Sequence, residues 1–125
     1  MELKDKIAIV TGAGSGIGEG VALTFAREGA HVVLNDINID HAQKVVEKII
    51  SMGRQAIPFK ADVAKKTEVD SMVRKTLSQF GTIDILVNNA GIGGASSLVK
   101  DIPEEIWDRV MAVNLKGVFL CCQAV

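Results

Sequence analysis

The 125-residue sequence contains no tyrosine, so no phenolic acid/base is available anywhere along it. It holds only two cysteines, Cys121 and Cys122, which are adjacent in a helical stretch. That placement argues against a disulfide scaffold and for small apolar packing residues. Net charge is −1, which gives no basic footprint for nucleic acid or an anionic membrane surface. No apolar run approaches the length that spans a bilayer. The opening Met1-Glu2-Leu3-Lys4-Asp5-Lys6 is polar and mixed in charge, unlike a signal peptide. His31 and His41 lack the partner spacing of a metal site or a triad. The reading is a single soluble, cytoplasmic domain with enough apolar residues (48%) to build a core.

What the sequence does have is glycine in one telling place. Thr11-Gly12-Ala13-Gly14-Ser15-Gly16-Ile17-Gly18 follows the apolar run Ile7-Ala8-Ile9-Val10 and leads into a helical pattern at Val21, Ala22, Phe25 and Ala26. Glycine-rich turns between a strand and a helix let the main chain approach a phosphate closely. The unpaired N–H groups and dipole of the helix N-terminus favour that anion. A tight strand-to-helix turn without a ligand is the plainer alternative.

The rest of the chain repeats the strand–helix alternation. Strands are expected near 6–11, 31–35, 55–60 and 83–87, with helices between them and a fourth helix opened by Pro103, Glu104 and Glu105. Strands with little polar alternation fit a parallel sheet covered on both faces. Right-handed crossovers and a switch between strands one and four give the order 3-2-1-4, with Pro58 at a sheet edge. The fourth helix carries two apolar faces. Ile106, Val110, Val113, Gly117 and Cys121 form one; Trp107, Met111, Leu115, Val118 and Cys122 form the other. One face can cover the sheet, and the other calls for a second subunit, so a homo-oligomer through residues 103–125 is expected.

Asp36 closes the second strand, eighteen positions beyond Gly18. An acid there accepts hydrogen bonds from ribose hydroxyls and repels a 2′-phosphate. Ser15 and Ile37 supply no nearby cation, which favours NAD over NADP. A solvated turn is the alternative for this acid.

With these residues in view, the sequence resembles the N-terminal half of a short-chain dehydrogenase/reductase. The shared features are Thr11-Gly12-x-x-x-Gly16-x-Gly18, Asp62-Val63, Asn88-Asn89-Ala90-Gly91 and Asn114 within Val113-Asn114-Leu115-Lys116-Gly117. The resemblance covers the whole chain. It implies a Rossmann-like, doubly wound α/β fold of three layers, incomplete relative to the family. It implies that Thr11, Gly12, Gly14, Ser15, Gly16, Ile17 and Gly18 bind the pyrophosphate and adenosine side. Asp62 and Val63 would lie at the adenine, and Asn89, Ala90 and Gly91 would line the cofactor. Asn114 would belong to the catalytic tetrad, bending its helix and helping to hold a water. Plainer roles stay open: a helix-capping turn for Asp62-Val63, backbone satisfaction for Asn88 and Asn89, a backbone partner alone for Asn114.

The family transfers a hydride between NAD(H) and an alcohol or ketone, using a Tyr-x-x-x-Lys pair and a serine that have no counterpart here. Strand four would also present an open apolar edge. The expectation is therefore a piece of a longer oxidoreductase, inactive by itself. A non-catalytic NAD-binding module and an association element are the competing readings. The substrate is not legible.

Overall fold

In the computed structural model, which describes residues 1–125, four strands alternate with helices. They are β1 (Ile7–Val10), α1 (Gly16–Arg27), β2 (His31–Asp36), α2 (Ile39–Ser51), β3 (Ala56–Lys60), α3 (Lys66–Phe80) and β4 (Ile85–Val87). A short 3-10 turn at Val99–Asp101 precedes α4 (Glu104–Met111), a π turn (Ala112–Lys116) and α5 (Gly117–Ala124). The strands are parallel in the order β3-β2-β1-β4, as the crossover argument requires. Pro58 lies opposite Leu34 on the edge strand β3, where its missing N–H leaves no gap in the ladder.

Strand periodicity sorts the side chains into two layers. Val10, Val32 and Leu34 face α1 and α2, where Ala22, Val45 and Ile49 complete one core. Their neighbours Ile9 and Val33 face the other way, onto Val69, Met72, Val113 and Leu120. Adjacent residues of one strand thus feed opposite cores, which is why the strands show no polar alternation. Each of these valine, leucine, isoleucine and methionine side chains contributes roughly 1.5–3 kcal/mol on burial.

Some boundaries differ from the sequence reading. Thr11 and Lys6 fall outside β1, β3 starts at Ala56 and α1 ends at Arg27, while β2 closes on Asp36 as expected. β4 begins at Ile85 because Asp84 takes over the preceding pairing: its amide donates to the Ile7 carbonyl and its Oδ2 accepts from the Ile7 amide, both at 2.8 Å. The expected single fourth helix is broken at Ala112–Lys116, where the Gly117 amide reaches back five residues to the Ala112 carbonyl. Its buried stripe is also shorter than expected. Val113, Gly117, Leu120 and Cys121 are buried, whereas Ile106 is 39% exposed and α4 has no buried residue.

Candidate cofactor cleft

The glycine loop lies where β1 ends, beside the topological switch between β1 and β4. Gly12 has φ +62°, and a Cβ on it would sit 2.9 Å from Ala90 Cα. Only glycine fits both the conformation and the approach. A Cβ on Gly18 would run into the Gly12 carbonyl and the Asn89 side chain, so α1 can start this close to the sheet only with glycine there. Ser15 does not cap α1 with its side chain, although the Asn38 side chain caps α2 by accepting from Asp40 and His41. The amides of Gly16, Ile17 and Gly18 find no partner within the chain. Ser15, Gly16 and Ile17 are exposed there, leaving a helix N-terminus whose donors face open space.

Asp36 turns into this cleft. Its Oδ2 accepts the Gly14 amide at 2.9 Å and its Oδ1 accepts the Asn38 amide at 2.9 Å. A Cβ on Gly14 would stand 2.7 Å from both Asp36 Oδ2 and His41 Cβ. The carboxylate therefore bridges the glycine loop and the start of α2.

Thr11 and Asn89 hold the two sides of the switch together. The Thr11 hydroxyl accepts from the Asn89 and Ala90 amides, both at 3.0 Å, and donates to the Val87 carbonyl at 3.3 Å. Asn89 Nδ2 donates to the carbonyls of Thr11 and Gly12, both at 3.1 Å. Thr11 is buried with its hydroxyl fully committed, so it stands behind the cleft wall rather than in it. Asn88 turns away and reaches Cys122 Sγ at 3.4 Å.

On the far side, Asp62 is held from several directions. Its Oδ1 accepts the Ala64 amide at 3.0 Å, its Oδ2 accepts Arg109 Nη1 at 3.1 Å, and its own amide donates to Glu68 Oε1 at 3.1 Å. It forms a tight turn ahead of α3 and does not cap that helix; Lys65 occupies the cap position. The fully buried Asn35 positions this rim: its Nδ2 donates to the carbonyls of Phe59 (3.3 Å) and Ala61 (3.0 Å), while its carbonyl accepts the Ala13 amide at 2.8 Å.

Asn114 sits in the π turn. Its Oδ1 accepts the Ile92 amide at 2.8 Å and its Nδ2 donates to the Ile92 carbonyl at 2.9 Å. The side chain thus grips one residue of the loop after β4 by both backbone groups. Asn114 is exposed, so water could satisfy this amide; the partner it takes is backbone all the same.

Together these walls enclose a cleft of about 360 Å³. Of the residues singled out from the sequence, Gly12, Ser15, Ile17, Asp36, Asp62, Val63, Asn89, Ala90 and Gly91 line it. Thr11, Gly14, Gly16, Gly18 and Asn114 support it or lie at its margin instead of lining it. Asn35, Ile37, Ala61, Ile92, Arg109 and Val113 line it without having been singled out. Ile37 and Ala61 follow from their neighbours Asp36 and Asp62. Arg109 has no local signal, because the acid it meets lies forty-seven positions away.

Cys121 is buried, and burial, with the neighbouring Cys122 adding to it, pushes its thiol up to about 11. Cys122 is exposed. No helix is long and apolar enough to cross a membrane.

A parallel sheet in the order β3-β2-β1-β4, with a glycine loop, an uncapped helix end and an acid at the tip of β2 gathered at its switch point, defines a Rossmann-like α/β protein. The comparisons narrow that class. The profile of the short chain dehydrogenases matches residues 6–125, and the chain belongs to that oxidoreductase family. The hydroxy(phenyl)methylsuccinyl-CoA dehydrogenase subunit BbsD of Thauera aromatica is 45% identical over 100% of this chain and 50% of its own length. The NAD+-bound xylitol dehydrogenase structure superimposes with a TM-score of 0.97 at 35% identity, covering 100% of this chain and 48% of that one. A metagenomic short-chain oxidoreductase in complex with NADP gives 0.94 at 31% identity, covering 99% and 56%. The chain spans about half the length of the curated relatives it matches.

Proposed function

We propose that this chain is the dinucleotide-binding half of an oxidoreductase that moves a hydride between NAD(H) and a small alcohol or ketone. The cleft residues fit a nicotinamide dinucleotide. The free amides of Gly16, Ile17 and Gly18 suit a diphosphate, Asp36 suits the adenosine ribose, and the Ile37–Asp62–Val63 rim suits a base. Asn89, Ala90 and Gly91 lead from there toward Asn114, where the nicotinamide and substrate would lie. The bound cofactor supplies the hydride chemistry. The chain supplies anchoring, orientation and a dry wall, and Asn114 fixes the Ile92 loop beside the reacting end.

One observation carries the choice of cofactor: the Asp36 carboxylate already stands at the Gly14 amide, inside the cleft. A 2′-phosphate would meet this charge inside the cleft, where Arg109, the single basic residue of the lining, is paired to Asp62, and Lys60, the register partner of Asp36 on β3, is not part of the lining. NADH and NADPH titrated against Trp107 fluorescence, with a parallel turnover assay, test the reading. NADH is expected to bind more tightly, and Asp36→Ala to weaken it and narrow its preference over NADPH. A preference that does not move on that substitution removes Asp36 from the site. Binding without turnover by the 125-residue chain agrees with a cofactor half. The absence of any dinucleotide binding defeats the proposal. Self-association is a second part of it, favoured by the exposed apolar residues Trp107, Leu115 and Phe119 on α4, the π turn and α5.

A further inference from the structure

Arg109 belongs to no sequence motif, yet it is the only cation of a cleft whose lining holds two carboxylates, Asp36 and Asp62, and it pairs with the second. It comes from α4, which buries no residue of its own, and it crosses to the β3–α3 turn to meet Asp62 Oδ2 at 3.1 Å. The pair is asymmetric: the Asp62 side chain is 14% exposed, whereas that of Arg109 is 46% exposed. Arg109 is therefore an outer brace on a largely enclosed acid. The opposite oxygen of that acid takes the Ala64 amide, and the Asp62 backbone is tied to Glu68. Each carboxylate oxygen can accept twice, and each has one of these bonds, so acceptor capacity remains.

We infer that Arg109 is a positioning residue for base recognition, acting through Asp62. This rests on the dinucleotide reading given above. An ionised carboxylate only accepts hydrogen bonds, so it favours a base presenting an amino group over one presenting a carbonyl at the same position. It discriminates well only while it is held in one orientation. The Ala64 amide fixes one oxygen, and the charge-assisted bond from Arg109 fixes the other. Without it the carboxylate can swing on its remaining bond, and its selectivity for an amino group falls.

The test is calorimetric titration of the folded chain with NAD and with its hypoxanthine counterpart, which replaces the amino group by a carbonyl. The unaltered chain is expected to prefer NAD by about fivefold or more, and Asp62→Asn to abolish that preference. Arg109→Met, which keeps the stem and removes the charge, is expected to bring the ratio to within about twofold of unity. Arg109→Lys is expected to retain most of it, and Arg109→Met in the Asp62→Asn background to change the ratio no further. Should Arg109→Met fold poorly by circular dichroism, Arg109→Gln carries the same comparison. A purely structural brace would weaken both ligands by one factor and leave the ratio intact, which overturns the inference. Equal binding of both ligands by the unaltered chain also overturns it while leaving the dinucleotide reading standing. Binding of neither overturns both.

Discussion

Gly18 and Cys121 show how much a single position decides. At Gly18 the colliding groups are the Gly12 carbonyl and the Asn89 amide, a rigid main chain and a side chain already holding two carbonyls. Neither can give way cheaply. Gly18→Ala is expected to cost about 3 kcal/mol, read as a fall in the urea midpoint. Gly20→Ala, where a Cβ meets nothing within 4 Å, should not destabilise and serves as the control. At Cys121 the folded thiol titrates near 11 against an ordinary value of 9.0. Below pH 9 both states keep the proton, and this thiol adds no pH dependence. Between pH 9 and about 11 the unfolded chain releases the proton and the folded chain retains it, so stability falls as pH rises, by at most about 1.4 kcal/mol per pH unit. Denaturant melts of the unaltered chain and of Cys121→Ala across that window should differ by this slope. Alkylation at neutral pH should label only the exposed Cys122 until the chain unfolds. A second label on the folded protein would contradict the burial of Cys121. The sequence made the glycines and Asp36 legible because their chemistry is local. It left Arg109 and Asn35 illegible because their partners are set by the fold: Asn35 looks like any strand residue until its carbonyl partners on the β3 side are known.

Among the elements, the strands and their order could be read directly. The short apolar runs, Pro58 at an edge and the helical spacing between runs leave few topologies open. The last helix could not be read in the same way. Apolar periodicity reports which residues face inward, but it does not report a change of hydrogen-bond register. The π turn at Ala112–Lys116 shifts the inward face, bringing Leu120 into the core, a residue in neither expected stripe, and leaving Ile106 largely outside it. Gly117 follows that turn and makes the close packing possible: a Cβ there would lie 2.7 Å from Val63 Cγ2 and 3.2 Å from Val63 Cβ. Alanine gains up to about 1 kcal/mol of helix propensity over glycine, but overpacking against a β-branched neighbour costs about 1–3 kcal/mol. Gly117→Ala should therefore destabilise. Because Val63 also lines the cleft, the substitution should weaken dinucleotide binding as well. Trimming the neighbour relieves the collision, so Gly117→Ala with Val63→Ala should cost less than the two single losses combined. Additive losses would mean that the two residues do not press on one another.

For the molecule as a whole, the distribution of apolar surface is the deciding feature. Helices lie on both faces of the sheet, and its centre, β1 and most of β2, is buried between two cores. Its flank is not: β4 pairs on one side only, with β1, and presents its outer backbone groups along a short apolar strand. Beyond it, Trp107, Leu115 and Phe119 are 59%, 61% and 59% exposed on the α4–α5 segment. An unpaired strand and a cluster of exposed large side chains on one molecule favour association with another copy. The 125-residue chain is accordingly expected to run above its 13.3 kDa monomer mass in light scattering, increasingly so at higher concentration. Leu115→Glu with Phe119→Glu separates the two contributions. If the helical face drives association, the double variant becomes monomeric with its sheet and dinucleotide affinity intact. If it still associates, the β4 edge is the driver, and the contact should yield instead to a lysine at Ile85 on that strand. A monodisperse monomer for the unaltered chain would show that neither surface is adhesive, and it would remove self-association from the proposed function without touching the cleft.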